Sequence, residues 1–188
     1  MEKDFKSCCF TGYRPQKFPF PLSKEREEYI RFENKLLDAI FTLPKENYYR
    51  FYTGGAMGFD IIAAEIVLLL RDAPRVNCSI ELYCALPFLD QSQAYDEHWK
   101  KRYENILNSA DNVILISDKY YPGCYQKRNE FMVDNSDVVL TWFDGKTGGT
   151  KNTLNYAARK GRQIINLNEF AVHEYITDDP YEIIEDEY

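Results

Sequence analysis

The sequence has few of the residues from which metal sites and disulfide frameworks are built. Only two histidines, His98 and His173, occur in 188 residues, and the five cysteines form no CxxC pair or metal-ligand spacing. Four cysteines lie in or beside apolar strand-like runs, where cysteine packs as a small buried hydrophobe. Cys124, in a polar loop, is the one expected to be exposed. We therefore predict inert thiols, no metal and no cofactor.

The sequence also lacks a long apolar run. No apolar stretch approaches the roughly 18–20 residues that cross a bilayer. The first six residues also lack the apolar segment that is typical of a signal peptide. We therefore expect a cytoplasmic protein without a membrane partner. Its 45% hydrophobic and 15% aromatic residues exclude a disordered or fibrous chain. A length of 188 residues suits one domain with a proper core.

A broad excess of basic charge is absent as well. The formal net charge is −7, but eight acidic residues and no Lys or Arg fall between Glu169 and Tyr188. The rest of the chain contains the other 22 of the 30 acidic residues and all 23 Lys and Arg, so it is nearly neutral. This balance argues against nucleic acid as a partner, although it leaves room for a local basic patch. We predict a domain over residues 1–168 and a partly docked acidic tail over 169–188.

Short apolar runs alternate with helix-like segments along the chain. One such helix is expected to follow Ser23 as its N-cap. The six predicted strands are Ser7–Phe10, Phe51–Thr53, Ser79–Leu86, Asn112–Ser117, Asp137–Phe143 and Gln163–Leu167. This alternation predicts an α/β fold, a Rossmann-like parallel sheet of about six strands with helices on both faces. Ligands of such sheets bind beyond the carboxyl ends of the strands, near a switch in strand order.

Two glycine turns link a predicted strand to a predicted helix. The first follows Phe51–Thr53 and contains Gly54 and Gly55. The second, Gly148–Gly149–Thr150, occupies the same position after a later strand. Glycine lets a ligand approach the backbone, and the following helix directs free N–H groups and the positive end of its dipole at that ligand. Two such turns in one small chain predict a phosphate-bearing, nucleotide-type ligand.

The residues after the first strand form a third part of the predicted site. Thr11 and Gly12 end that strand, and Arg14 follows them directly before a proline. An arginine held in this way is a candidate partner for a phosphate or carboxylate. A surface ion pair is the alternative role for Arg14.

Four further residues have an open role. Arg128 and Asn129 lie near the start of a short predicted helix, below an aromatic loop, and are expected to contribute to the site. Asp60 is a candidate partner for a ribose hydroxyl, or else caps its helix. Thr150 either donates a hydrogen bond to a phosphate or caps the helix that it begins.

Several segments together resemble a known family. They are TGYRP (11–15), TGGAMGFD (53–60), LPFLDQ (86–91), RNEFMVDNSD (128–137) and GGTKNTLNYAARKG (148–161). In this order they are similar to the SLOG superfamily and, within it, to the YpsA-like group of uncharacterised bacterial proteins. The resemblance implies a Rossmann-like fold with a site for nucleotides or nucleotide derivatives such as ADP-ribose or NAD.

Two better understood relatives of this superfamily imply further alternatives. LOG-type phosphoribohydrolases, which commonly self-associate, cleave nucleoside monophosphates with an arginine and the glutamate of a PGGxGTxxE motif. Alignment of Gly149–Thr150 on this motif places Thr153 at the position of the glutamate. Arg128 could serve as the arginine, and Asp60 or Glu130 as a substitute carboxylate. The DNA-processing protein DprA binds single-stranded DNA on the same fold.

The expected function is therefore that of a nucleotide-binding sensor or regulatory protein, with a homo-oligomer as a further expectation. An N-glycosidase acting on a nucleotide or NAD-type ligand is the alternative. Single-stranded DNA binding is the third hypothesis, and the nearly neutral charge of residues 1–168 counts against it.

Overall fold

The computed structural model describes residues 5–74 and 79–168. The predicted acidic tail and Cys78 lie outside the described residues. The described chain forms one six-stranded parallel sheet in the order β4-β3-β2-β1-β5-β6. The α/β prediction is thereby confirmed, since the sheet is parallel and helices cover both faces.

All six predicted strands are present, with small shifts at their ends. Each is followed on the chain by a loop at the carboxyl edge of the sheet, which is the edge where ligands of such folds bind. The strands are β1 (Lys6–Gly12), β2 (Tyr48–Thr53), β3 (Glu81–Leu86), β4 (Asn112–Leu115), β5 (Val138–Trp142) and β6 (Gln163–Asn166).

Five α-helices connect these strands. They are α1 (Glu27–Thr42), α2 (Phe59–Asp72), α3 (Glu97–Ser109), α4 (Cys124–Asp134) and α5 (Gly149–Arg159). Helix α2 packs against α1 and α3 and over β1, β2 and β3, whereas α4 packs against α5 and over β1 and β3. The two groups of helices therefore lie on opposite faces of the sheet.

The strand order places a switch point between β1 and β5. From β1 the chain moves outward through β2, β3 and β4, and then returns to the other side of β1 to form β5 and β6. The loops after β1 and β5 therefore diverge from one point, and open α/β sheets leave a crevice for ligands there.

Aromatic side chains fill the space between α1 and the sheet near this point. Phe32 of α1 meets Trp142 of β5 edge to face, with ring centroids 5.0 Å apart. Phe18, in the loop after β1, lies 5.2 Å from Phe32 by the same measure. The proline-rich loop that follows β1 is therefore held against the core rather than left in solvent.

Two local predictions were wrong. Ser23 does not cap α1, because that helix begins at Glu27 and the Ser23 hydroxyl instead accepts a hydrogen bond from the Glu25 amide at 3.4 Å. Cys124 is fully buried, since it forms the first turn of α4 rather than part of a loop. Strand β4 is largely exposed because it forms an edge of the sheet.

Candidate ligand site

The predicted site residues fall into two groups at the carboxyl edge of the sheet. One group surrounds the turn between β2 and α2, and contains Gly54, Gly55, Asp60 and Arg128. The other surrounds the turn between β5 and α5, hereafter the α5 turn (residues 143–149). The two groups meet at Phe59, because its amide donates to the Tyr13 carbonyl at 3.1 Å and its ring packs against Gly12.

The backbone groups of Gly54 and Gly55 in the β2–α2 turn are engaged in hydrogen bonds within the protein. The Gly54 carbonyl accepts from the Arg128 guanidinium and from Gln91 Nε2, the latter at 3.1 Å. The Gly55 amide donates to Thr53 Oγ1 at 3.2 Å, and the Gly55 carbonyl accepts from the Tyr95 hydroxyl at 3.0 Å. The Gly55 amide, one of the N–H groups predicted to face a phosphate, is thus engaged within the protein.

The space beside the two glycines of this turn is also occupied. A Cβ atom added to Gly54 would overlap the Arg128 guanidinium, and one added to Gly55 would lie 2.7 Å from a ring carbon of Tyr103. Gly55 has a φ of +66°, which also disfavours other residues. The glycines here are thus required by close packing against protein groups.

Asp60 holds this turn from the opposite side. Its carboxylate accepts hydrogen bonds from the backbone amides of Gly54 and Ala56, and the residue is 4% exposed. Burial raises the pKa of Asp60 to about 6, although Arg128 and the two amides pull it down. Gly58 occupies the N-cap position of α2, so Asp60 does not cap the helix.

Arg128 is buried between these groups. It is 4% exposed, and its Nε donates to Asn129 Oδ1 at 2.8 Å. Its guanidinium is thus shared between the Gly54 carbonyl, Asn129 and the charge of Asp60. The arrangement makes Arg128 an internal support of the turn, and a role of Arg128 or Asn129 in ligand contact stays a prediction.

The first turn of α5 is anchored to the end of β1. Thr150 Oγ1 donates to the Gly12 carbonyl at 3.1 Å, while Gly148 occupies the N-cap position with a φ of +132°. Thr150 therefore does not cap the helix, and its hydroxyl ties α5 to β1. Thr11 is paired in register with Thr141 of β5 directly below this contact.

The α5 turn is open where the β2–α2 turn is closed. A Cβ atom added to Gly149 would meet nothing within 4 Å. No acceptor among residues 5–74 and 79–168 takes the backbone N–H groups of Gly149 and Thr150. These N–H groups and the positive end of the α5 dipole are suited to an anion.

Two lysines flank the open turn. The Lys17 ammonium donates to the Thr147 carbonyl at 3.3 Å and lies 2.8 Å from the position of a Cβ atom at Gly148. Lys146 pairs with Asp144 at 2.7 Å and also reaches the Lys17 carbonyl at 3.4 Å. Both lysines are exposed, and Lys17 is the one of the two that has no carboxylate partner among the described residues.

Tyr13 fixes the loop that carries this turn. Its hydroxyl donates to the Asp144 carboxylate and accepts from the amides of Asp144 and Lys146, each at 3.2 Å. Burial and the neighbouring Asp144 raise the pKa of Tyr13. Burial alone would raise the pKa of Asp144, but hydrogen bonds from Lys146 and Tyr13 hold it below its usual value. The loop is thus organised before any ligand arrives.

Arg14 differs from Arg128 in being exposed. Its guanidinium makes no hydrogen bond or ion pair with any residue in the described ranges, although its charge acts on Asp60 and Tyr95. This position, at the end of β1 beside the switch point, leaves Arg14 able to meet an anionic ligand. Ion pairing, the alternative from the sequence, is not observed within the described part of the chain.

Sequence reasoning missed several residues that shape the site. Gln91, Tyr95 and Tyr103 enclose the β2–α2 turn, while Tyr13 and Lys17 shape the α5 turn. Gln91 and Tyr13 lie in segments that carry the family resemblance, so this signal was present but was assigned no role. No motif in the sequence around Lys17 identifies it as a site residue, because its contact with Thr147 joins segments that are far apart in the chain.

Position 153 provides no carboxylate for glycosidase chemistry. Thr153 is 1% exposed, and its hydroxyl donates to the Gly149 carbonyl at 2.8 Å within α5. Of the substitutes, Asp60 is committed to the β2–α2 turn, and Glu130 accepts from Gln126 at 3.2 Å on α4. No free carboxylate therefore lies at position 153, where the N-glycosidase hypothesis requires one.

The described residues contain no group of three or more His, Cys, Asp or Glu side chains that could hold a metal ion. Burial raises the pKa of the Cys9 and Cys84 thiols to about 12. Within the described ranges, none of the helices is both long and apolar enough to span a bilayer. The metal-free site and the cytoplasmic location stay predictions.

Comparison with known proteins places the chain in a family. Residues 8–177 match the family model described as the YspA SLOG family. The chain belongs to this family. The SLOG resemblance inferred from the five sequence segments is therefore confirmed.

Relatives of this YspA SLOG protein extend the match over most of their length. An uncharacterised SPbeta prophage-derived protein, YoqJ of Bacillus subtilis, is 36% identical over 154 residues, covering 74% of this chain and 88% of YoqJ. A UPF0398 protein of Halalkalibacterium halodurans is 31% identical over 163 residues, covering 84% and 82% of the two chains. A UPF0398 protein of Bacillus thuringiensis is 27% identical over 186 residues, covering 97% and 96%.

Two solved structures of DNA processing protein A share the fold. The Streptococcus pneumoniae protein aligns with a TM-score of 0.57 and 15% identity, over 85% of this chain and 49% of its own. The Helicobacter pylori protein aligns with a TM-score of 0.57 and 21% identity, over 90% and 70%. Its structure is described in terms of a single-stranded DNA binding mode. This chain thus spans about half of the first protein, and the likeness establishes the fold.

Proposed function

We propose that this YspA SLOG protein is a sensor or regulatory protein that binds a phosphate-bearing nucleotide or nucleotide derivative, such as ADP-ribose or an NAD-like molecule. The phosphate lies over the α5 turn. The observation that carries the proposal is the open surface at Gly149, where two amides without an acceptor among the described residues lie at the N-terminus of a helix.

Charge around the turn supports an anionic ligand. Lys17 and Lys146 border it, and Arg14 lies exposed at the neighbouring strand end. Lys146 is paired with Asp144, so Lys17 and Arg14 supply the unbalanced positive charge that adds to the helix dipole. A phosphate is the anion that combines high charge with several acceptors for such amides.

The β2–α2 turn has a supporting role in this proposal. The amides and carbonyls of Gly54 and Gly55 are bonded internally, and Arg128 is buried beside them. We infer that Gly54, Gly55, Asp60, Arg128 and Asn129 form a rigid floor for the ligand, while Thr11, Gly12, Arg14, Gly148, Gly149 and Thr150 meet the phosphate side.

A thermal-shift panel tests the proposal. AMP, ADP, ADP-ribose and NAD are each added to the wild type and to Lys17→Gln, and every hit is followed by product analysis. A ligand that binds the folded state raises the melting temperature by mass action. We expect a shift with intact ligand that is smaller in the variant. Released base or nicotinamide would instead support the N-glycosidase hypothesis, and no shift from any nucleotide would overturn the proposal.

Single-stranded DNA is the second candidate ligand. The solved structure from H. pylori concerns single-stranded DNA binding, and the local cluster of Arg14, Lys17 and Lys146 supplies cations that the overall charge balance conceals. Phosphate contacts make such binding strongly dependent on salt. Fluorescence anisotropy of a labelled oligonucleotide, measured from about 50 to about 200 mM salt, distinguishes this candidate from a mononucleotide ligand. Binding of single-stranded DNA should weaken steeply over this range. Sedimentation in the same buffers tests the predicted homo-oligomer.

A further inference from the structure

We propose that residues 178–187 of this chain, hereafter the acidic segment, fold back over the α5 turn and compete there with a phosphate-bearing ligand. The inference rests on the proposed function, because it names a regulator of the same site. The acidic segment lies outside the described residues. Its charge and the described chain that leads to it carry the inference.

The end of β6 brings the chain to the α5 turn. Strand β6 runs parallel to β5, so both strands end at the carboxyl edge of the sheet. The Leu167 amide donates to the Thr141 carbonyl at 2.9 Å. Asn166 then holds Phe143, the first residue of the α5 turn, because its Nδ2 donates to the Phe143 carbonyl at 2.9 Å and its Oδ1 accepts from the Phe143 amide at 3.0 Å. The chain therefore reaches residue 168 directly beside this turn.

The acidic segment follows closely enough in sequence to reach the turn. The loops after β5 and β1 lie one and two strand spacings from β6, which is about 5 and 10 Å. Nine residues, 169–177, separate the end of the described chain from the acidic segment. Nine extended residues span up to roughly 30 Å, so the connection is long enough. A tether of this length holds its end at an effective concentration of about millimolar.

The charges of the acidic segment and of the α5 turn are complementary. Residues 178–187 contain six Asp and Glu and no Lys or Arg. At the α5 turn, Lys17 and Arg14 are exposed and have no carboxylate partner within the described ranges. A contact between the two therefore offsets charge on both sides.

The first turn of α5 lacks an acidic residue of its own. Helices α1, α2 and α3 each have one in the first turn, whereas α4 and α5 have none. Of these two, α5 is the helix that begins beside β6. The N–H groups of Gly149 and Thr150 have no acceptor in the described part of the chain, and the space beside Gly149 is open. A carboxylate satisfies such N–H groups and the helix dipole as a phosphate does.

Competition follows from this shared chemistry. The ligand phosphate and the acidic segment use the same N–H groups, so binding of the ligand requires release of the segment. If the segment covers the turn in about nine of ten molecules, the apparent affinity for the ligand falls by about tenfold.

A neutral-segment variant tests the inference in the chain of 188 residues. Its substitutions are Asp178→Asn, Asp179→Asn, Glu182→Gln, Glu185→Gln, Asp186→Asn and Glu187→Gln. Amide hydrogen exchange, measured by NMR, reports on Gly149 and Thr150 without any ligand. These two amides should exchange about tenfold faster in the variant, because a neutral side chain bonds them more weakly than a carboxylate. The affinity for AMP should rise by the same factor.

The control variant removes the same number of negative charges from exposed positions far from the α5 turn. These positions lie on α1 and α3 and in the loops before β2, after β3 and after β4. The substitutions are Asp38→Asn, Glu46→Gln, Asp90→Asn, Glu97→Gln, Glu104→Gln and Asp118→Asn. Amide exchange and AMP affinity should both match the wild type. Equal changes in the two variants would show a response to net charge alone and would overturn the inference.

The AMP titration separates failure of this inference from failure of the proposed function. If wild type and neutral-segment variant bind AMP with equal affinity, the acidic segment does not compete, and the proposed function stands. If neither protein binds AMP, both proposals are wrong. Unchanged exchange of Gly149 and Thr150 in the variant would show that the acidic segment does not cover these amides, and the inference would fail even if AMP affinity changed.

Discussion

The β2–α2 turn and the α5 turn have the same local sequence logic but opposite surroundings. Both follow a strand of the parallel sheet, contain a glycine pair and begin a helix. Around Gly54 the backbone is fully bonded and Arg128 occupies the space of a side chain. Around Gly149 that space is empty and two amides are unpartnered within the described ranges.

The difference teaches that a glycine turn has two distinct physical uses. In the first turn glycine permits a buried guanidinium to approach the backbone, which strengthens the fold. In the second turn glycine leaves the backbone accessible, which suits a ligand. A short glycine motif does not distinguish these uses, because the deciding atoms come from distant segments such as α4 and the loop after β1.

The largest effect is expected from removal of the guanidinium that closes the first turn. Arg128→Ala leaves the buried Asp60 carboxylate without its positive neighbour and removes a donor from Gly54. Loss of one partner of a buried pair costs about 3–5 kcal/mol. We expect a decrease of this size in the free energy of unfolding, measured by urea denaturation.

Lys127→Ala is the control for this prediction. Lys127 is the neighbour of Arg128 on α4, but it is exposed and its contact with Glu130 is 3.9 Å long. Its removal should change the free energy of unfolding by less than about 0.5 kcal/mol. Equal effects of the two substitutions would show that burial of Arg128 does not support the turn.

The second prediction exchanges glycine for alanine in both turns. Gly58, at the start of α2, has a φ of +92°, and a Cβ atom there would overlap the Tyr13 carbonyl. We expect Gly58→Ala to destabilise the protein by about 2–4 kcal/mol through strain and overpacking. Gly149→Ala meets no atom and replaces glycine within a helix, so a gain of up to about 1 kcal/mol is expected.

Thermal or urea denaturation of both variants measures this contrast. The comparison of the turns fails if Gly149→Ala is as destabilising as Gly58→Ala. If Gly149→Ala is stable, as expected, the variant also tests ligand binding. Its added methyl group should weaken phosphate binding without loss of the fold.

The third prediction concerns pH, and the two turns should respond with opposite sign. Burial raises the pKa of Asp60 to about 6, so between about pH 4 and pH 6 the folded state binds more protons than the unfolded state. Asp60 therefore stabilises the fold below pH 4, and this contribution is lost as the pH rises through 6. Its size is about 2–3 kcal/mol.

The pKa of Asp144, in contrast, is held down by Lys146 and Tyr13 despite partial burial. Its contribution is present above the usual pKa of an aspartate and is lost as the pH falls. Urea denaturation from about pH 2 to pH 7 measures both, because the Asp144 contribution changes only below the usual aspartate pKa of about 3.9. The free energy of unfolding of the wild type minus that of Asp60→Asn should fall as the pH rises. The corresponding difference for Asp144→Asn should increase as the pH rises. The same sign for both differences would contradict the assignment.

The sequence was sufficient for the fold because its signals are local. Apolar runs marked all six strands, and Pro87 correctly marked the end of β3 at Leu86. The ends of α1 and α4 were less accurate because Ser23 and Cys124 are not distinguished by their neighbours. The sequence marks β4 as a strand, and only the strand order shows that it lies at an edge of the sheet.

The candidate site was only partly predictable for the same reason. Glycine turns and strand ends identified where a ligand could approach. The sequence could not show that Gly54 faces Arg128, or that Tyr13 and Lys17 reach the α5 turn, because those contacts join residues far apart in the chain. Burial makes Arg128 a support of the β2–α2 turn, while its predicted ligand contact stays a prediction and Arg14 is the more exposed of the two arginines.

The smallest expected effect is also the most direct test of the open turn. Lys17→Gln removes one exposed charge whose ammonium donates to Thr147 at 3.3 Å, so the free energy of unfolding should change by less than about 0.5 kcal/mol. The affinity for AMP should fall by about two- to fivefold, as expected for one partly screened charge. Lys45→Gln, an exposed lysine just beyond α1, makes the same change of net charge elsewhere. Equal losses of affinity in the two variants would mean that AMP responds to overall charge, whereas a loss confined to Lys17→Gln places the phosphate at the α5 turn.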